Sequence, residues 1–117
     1  MEDALGNLEV WKRGCRLAVK TYQVISKCTD FGFKDQMTRA AVSIPSNIAE
    51  GFERNSKKDF SNYLRIARGS CAELRTQIYI GRDIDLIDED LAQQMINEAL
   101  EISKMLQGLI NRYNRKD

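Results

Sequence analysis

A chain of 117 residues, 43% hydrophobic, 30% charged and with a formal net charge of +1, has the composition of a soluble globular domain or helix bundle. It is long enough to bury a core without staples, and no apolar run approaches the roughly 18 residues that span a bilayer. Histidine is absent, which removes the commonest general base, the commonest metal ligand and every Ser/His or Cys/His nucleophile pair.

The opening MEDALGNLEV is acidic and has neither the basic nor the apolar region of a signal peptide, so the expected compartment is the cytosol. Val10, Leu17 and Val24, with Trp11, Cys15, Ala18, Tyr22 and Ile25, form a wide apolar face of helical period. That face predicts a first helix from Glu9 to Cys28, ended by the Thr29–Phe33 stretch with its Gly32.

A second helix is predicted from Lys34 to Glu53, with Met37, Ala40, Ala41, Ile44, Ile48 and Phe52 on its core side. Pro45 deprives the carbonyl of Ala41 of its donor, so either one helix is kinked here or a new helix opens at Pro45. The apolar stripe is unbroken on both sides, which favours the kinked helix.

Ser56 followed by Asp59 has the shape of a capping box. Phe60, Leu64, Ala67, Cys71, Leu74 and Ile78 then step by fours and threes, a heptad seam that predicts a third helix ending near Gly81. Asp88 is a plausible cap for a fourth, whose stripe is Leu91, Met95, Ala99, Ile102, Leu106, Leu109 and Tyr113. Acids at its start and Arg112, Arg115 and Lys116 at its end complement the helix dipole, and the tail after Tyr113 is expected to fray. Short connections force neighbours antiparallel. The expected architecture is all-α, one domain over residues 1–117, an up-down-up-down four-helix bundle with helix two kinked at Pro45.

Cys15, Cys28 and Cys71 are odd in number and lack a CxxC, so they read as thiols rather than a disulfide framework. Cys71, on the apolar seam, reads as a small core residue.

Two polar features overlie this frame. Gln36, Arg39, Ser43, Asn47 and Glu50 run along helix two at steps of three and four, and Tyr63, Ser70, Gln77 and Glu73 form a matching stripe on helix three. If the two helices pair antiparallel about the turn at Asn55 and Ser56, Gln36 faces Gln77, Ser43 faces Ser70, Glu50 faces Tyr63 and Arg39 faces Glu73. The stripe is either a solvated polar edge or a satisfied network that fixes how helices or subunits pair.

The second feature is charge segregation. Residues 54–82 hold seven basic side chains against two acids, and residues 83–101 hold seven acids and no base. Lys58, Arg65, Arg68, Arg75 and Arg82 share one side of helix three over roughly 36 Å, at about 1.5 Å per residue. They form either a solubilising face balanced by the later acids or a phosphate-binding stripe for RNA or DNA. With no base-reading or stacking module alongside, such a stripe would read backbone and shape. Glycine-rich phosphate loops, HExxH and GxSxG are absent, and the Asp83–Asp90 run lacks the Gly and terminal Glu of an EF-hand. No catalytic residue, metal ligand or cofactor is expected, and the protein is not expected to be an enzyme.

The motifs LEVWK at 8–12, QMTRAAVSIPSNIAEGFER at 36–54, SKKDF at 56–60 and IARGSCAEL at 66–74 resemble a known family. It comprises the four-helix bundle proteins encoded in intervening sequences of bacterial 23S ribosomal RNA genes, to which the accessory variability proteins of diversity-generating retroelements are related. The resemblance covers nearly the whole chain. It implies a homo-oligomeric bundle, commonly a pentamer, with a basic surface that engages nucleic acid or a nucleic-acid-bound partner. Gln36, Arg39, Ser43, Pro45, Asn47, Glu50, Gly51, Gly69, Ser70 and Glu73 match the family pattern. Arg75, where the pattern is less basic, and a first connection without proline depart from it.

The expectation is a non-enzymatic oligomer that binds nucleic acid through helix three. The alternative is a structural or adaptor oligomer that binds a protein partner. Ile66 and Ile80, outside the core seam, would serve an interface in either case.

Overall fold

The computed structural model describes residues 3–113. A short 3-10 turn at Ala4–Asn7 precedes four helices: α1 (Glu9–Ile25), α2 (Phe31–Phe52), α3 (Lys57–Asp83) and α4 (Glu89–Tyr113). The expected tail and its Arg115 and Lys116 lie outside the described residues.

Three helix starts are set by side-chain oxygens that take up a free backbone N–H. Ser56 accepts from the amide of Asp59 at 3.2 Å and Asp88 from that of Leu91 at 3.3 Å, as the sequence suggests. Asp30 accepts from the amide of Phe33 at 3.1 Å, so α2 begins at Phe31, earlier than its apolar stripe implies. Gly32, expected in the connection, therefore lies in the first turn of α2, and α1 stops at Ile25 rather than Cys28. At the other turn, the amides of Leu86 and Ile87 both donate to Gly81 O, at 2.8 and 3.1 Å, and α3 runs on to Asp83.

Cross-helix contacts run in opposite directions at each neighbouring pair. A Cβ on Gly14 would meet Ile44 and Pro45 at 3.4 Å, while the Lys34 ammonium donates to Ser26 O at the α1–α2 turn. Ser43 meets Ser70, and Gly51 lies against Phe60 and Tyr63. Arg68 reaches Gln107, and the rings of Phe60 and Tyr113 lie 5.0 Å apart. Arg13 reaches Glu98 and Met105. These pairings give the up-down-up-down bundle, 49 Å in its longest dimension.

The helices share one core. Met37, Ala41, Ile44 and Ile48 of α2 and Leu64, Ala67, Cys71, Leu74 and Ile78 of α3 are fully buried, with Ala92, Ala99, Ile102 and Leu106 from α4 and Val10 and Ile25 from α1 nearly or fully so. Burial of each large aliphatic side chain contributes about 1.5–3 kcal/mol. α2 passes through Pro45 without interruption, so the reading in which a new helix opens there is set aside. Pro45 is buried, and the missing side chain of Gly14 lets α1 lie directly on its ring. Neighbour packing is what permits a proline inside a helix.

Candidate nucleic-acid interface and polar seam

α3 is flanked on both sides, by α2 and by α4, so it buries more than its a and d positions. Ser61, Ser70 and Gln77 are buried along with the apolar seam. The two polar stripes therefore meet very different neighbours.

On the α2 side, the Ser43 and Ser70 hydroxyls lie 2.8 Å apart. The Asn47 amide donates to Ser43 Oγ and to Ser43 O, each at 2.8 Å, and Ser70 Oγ donates to Ile66 O at 3.2 Å. The directions agree only one way: Asn47 donates to Ser43, Ser43 to Ser70, and Ser70 to the α3 backbone. Glu50 and Tyr63 share Arg54, whose Nη2 donates to the carboxylate at 3.2 Å and to the phenol at 2.9 Å. The hydrogen bond to Glu50 is the main cause that raises the Arg54 pKa above its ordinary value.

The outer pairings differ from the sequence register. Arg39 donates to Asp35 at 2.9 Å, one turn back on its own helix, and makes no ion pair with Glu73 among the described residues. Both partners are largely exposed, 79% and 62%, so the nearby i−4 carboxylate competes successfully with one on another helix. Gln36 is exposed while Gln77 is buried with its Oε1 unpartnered among the described residues, so this pair is not bonded either.

On the α4 side stand the cations. Lys58 is exposed. Arg65 Nη1 donates to Ser61 Oγ at 3.1 Å and to Asn62 Oδ1 at 3.4 Å. Arg68 donates to the amide oxygen of Gln107, and the Nε of Arg75 is buried without a partner among the described residues. Among the described residues none of these four contacts a carboxylate, whereas Arg13, Arg16, Arg39 and Arg54 each do. Arg82 separates from them: its Nε lies 3.0 Å from Asp83, its guanidinium lies 5.0 Å from the Tyr79 ring centre, and it lines a cleft with Asp85, Asp88 and Glu89. The basic row is therefore Lys58 to Arg75, roughly 26 Å at 1.5 Å per residue.

The acids of residues 83–101 do not neutralise that row. Asp83, Asp85, Asp88 and Glu89 gather at the α3–α4 turn. Glu98 turns to α1, where both its oxygens accept from Arg13 at 2.6 and 2.9 Å, and this bond is the main cause that raises the Arg13 pKa. Glu101 pairs with Lys104 at 3.6 Å.

The sequence reading missed what α4 adds. Gln93, Asn97, Leu100, Lys104, Gln107 and Asn111 follow one another at steps of four and three on one flank. Gln93 donates to Asn97 and Gln107 to Asn111, each at 2.9 Å, and Gln107 meets Arg68. The spacing was visible, but its partner helix was not.

Burial pushes the Cys71 thiol up to about 12 and also raises that of Cys15. No group of three or more His, Cys, Asp or Glu placed to hold a metal ion occurs among the described residues. No helix among them is long and apolar enough to cross a membrane.

A family model described as 23S rRNA-intervening sequence protein matches residues 6–108. Comparison with curated proteins finds no match. Among solved structures, the chain is similar to a protein of unknown function from the S23 ribosomal protein family of Bacteroides thetaiotaomicron VPI-5482. The identity is 26% and the TM-score 0.81, over 86% of this chain and 97% of that one.

Proposed function

Since the chain belongs to the 23S rRNA-intervening sequence protein family, we propose that it is a non-enzymatic, cytosolic, homo-oligomeric protein that binds RNA through the α3–α4 face. The observation that carries the reading is that, among the described residues, Lys58, Arg65, Arg68 and Arg75 pair with no carboxylate, while the acids of α4 are drawn to its N-terminal turn, to α1 and to Lys104. Arginine forks suit phosphate oxygens. The amides of Gln93, Asn97, Gln107 and Asn111 add uncharged donors and acceptors for riboses and backbone. Assembly would repeat the row and raise the local potential at little net charge per chain. The family resemblance points to a pentamer, and the exposed Val42, Ile66 and Ile80 beside the polar seam supply apolar surface for it.

The test is fluorescence anisotropy with a structured RNA and a matched duplex DNA across a salt series. On a duplex, each phosphate neutralised contributes about −0.9 to the slope of log affinity against log salt. Arg68→Ala with Arg75→Ala should flatten that slope by about 2 per protomer engaged, and Lys58→Gln, at an exposed position, by about 1. An unchanged slope in a folded variant rejects the row as the contact surface. Absence of binding even at low salt favours the adaptor reading, which the exposed Ile66 and Ile80 also support. Light scattering of Ile66→Asp with Ile80→Asp checks the assembly: a mass lower than the parent's is expected.

A further inference from the structure

At the end of the bundle where α2 starts and α3 gives way to α4, large apolar side chains stand in water. Phe31 is 72% exposed, Ile84 55% and Leu86 37%. The backbone that carries them is held in place. Asp30 caps the turn bearing Phe31, and Gly81 O takes the amides of Leu86 and Ile87. Phe33 Cε2 lies 3.8 Å from where a Cβ on Gly81 would stand, so the start of α2 lies beside the α3–α4 connection. Single exposed apolar residues are ordinary, but a group of them on one fixed end marks a contact surface.

The α3–α4 side of this end is acidic, while the α1–α2 side carries Lys34, whose ammonium is held by Ser26 O. Asp83, Asp85, Asp88 and Glu89 line an open cleft of about 530 Å³, with Ile87 at its buried side. No lysine or arginine occurs from Asp83 to Ser103, and Arg82 is held by Asp83 and Tyr79. Such a field repels nucleic acid, and it repels the same end of another copy. Exposed apolar side chains beside an acidic turn are complementary to a cationic segment with an apolar anchor.

We propose that this end is a docking surface for a lysine- and arginine-rich segment of a partner protein. An aliphatic or aromatic anchor of that segment packs on Phe31, Ile84 and Leu86, and its cations reach Asp83, Asp85 and Glu89. The surface is separate from the Lys58–Arg75 row, so it stands whether or not that row binds RNA.

The probe is a short fluorescent peptide with a central Leu-Trp pair flanked by Lys and Arg, beside a version with Ser in place of the anchor. The parent protein should bind the anchored peptide, more weakly as salt rises. Affinity should fall by about tenfold or more in Phe31→Ser with Ile84→Ser, the loss typical of an interface anchor. A similar loss is expected in Asp83→Asn with Asp85→Asn and Glu89→Gln. Asn suits Asp85, whose φ is 63°. Exposed positions keep the fold intact, which circular dichroism verifies, and Arg68→Ala with Arg75→Ala should bind the peptide as the parent does. Equal binding of both peptides, or full binding by Phe31→Ser with Ile84→Ser, overturns the proposal, leaving only diffuse attraction to acids. So does no binding at low salt. A drop in the protein's own oligomer mass in Phe31→Ser with Ile84→Ser also overturns it, because a second copy then covers the patch.

Discussion

Gly51 lets α2 lie directly on α3: a Cβ there would stand 2.7 Å from Tyr63 Cβ and 3.3 Å from the carbonyl oxygen of Phe60. A backbone oxygen and a β-carbon cannot swing aside as a side-chain tip does. Gly51→Ala should therefore cost about 1–3 kcal/mol, read as a lower urea midpoint. Gly108, with nothing within 4 Å and an exposed helical site, provides the contrast. Gly108→Ala should stabilise by about 0.5–1 kcal/mol, because only helix propensity changes. Cys71 makes a different residue-scale statement. Its thiol rises from an ordinary 9.0 to about 12 through burial, with Arg75 acting weakly the other way. The folded state thus keeps the proton to higher pH than the unfolded chain. This contribution is intact below the unfolded pKa and is lost as pH climbs from 9.0 towards about 12. Cys71→Ala should remove that part of the alkaline loss, at most about 4 kcal/mol, in a comparison of unfolding free energies against pH.

Between elements, the α2–α3 contact carries a directional chain of three side chains, and the α1–α4 contact carries one ion pair. The Ser43–Ser70 bond links two helices through hydroxyls of which the second is buried. Ser43→Ala and Ser70→Ala should each cost about 1–2 kcal/mol and show coupling above about 0.5 kcal/mol in a double-mutant cycle. Arg39→Ala and Glu73→Ala should add within about 0.5 kcal/mol, because Arg39 is engaged with Asp35 on its own helix. Coupling there would require an interface that brings the two together. At α1–α4, clefts of about 300 and 410 Å³ lie on either side of Arg13 and Glu98. This forked pair is partly open to water, so Arg13→Ala should cost only about 1 kcal/mol. Its clearer signature is faster hydrogen exchange in the α1 amides than in those of α3, which is packed on both sides.

For the molecule as a whole, a net charge of +1 conceals two opposed ends and faces. Among the described residues, Arg65, Arg68 and Arg75 on the α3–α4 face pair with no carboxylate, and the α3–α4 turn presents acids with one arginine. Salt should thus act on the two proposed partners through different residues: the Lys58–Arg75 row for RNA, and Asp83, Asp85 and Glu89 for a cationic protein segment. An anisotropy titration in which each set of variants disturbs only its own ligand is the expected outcome. Loss of both ligands in either set would point to a damaged fold rather than to two surfaces.

The four helices, two of their caps and the buried stripes were legible in the chain because each depends on neighbours three or four residues away. Ser56 with Asp59, and the Phe60–Ile78 steps, encode their own geometry. Even Pro45 within one helix followed from a stripe that continues past it. The start of α2 was misplaced because Asp30 acts as a cap amid residues that read as a turn. Partner choice was decided only by the fold. Arg39 selects Asp35 over Glu73, Arg82 falls among carboxylates while Arg68 meets an amide, and Glu98 leaves its own helix for Arg13. Long charged side chains have several partners within reach, and charge interactions fall slowly with distance. The packed arrangement of helices, not the local spacing, therefore selects which contact forms.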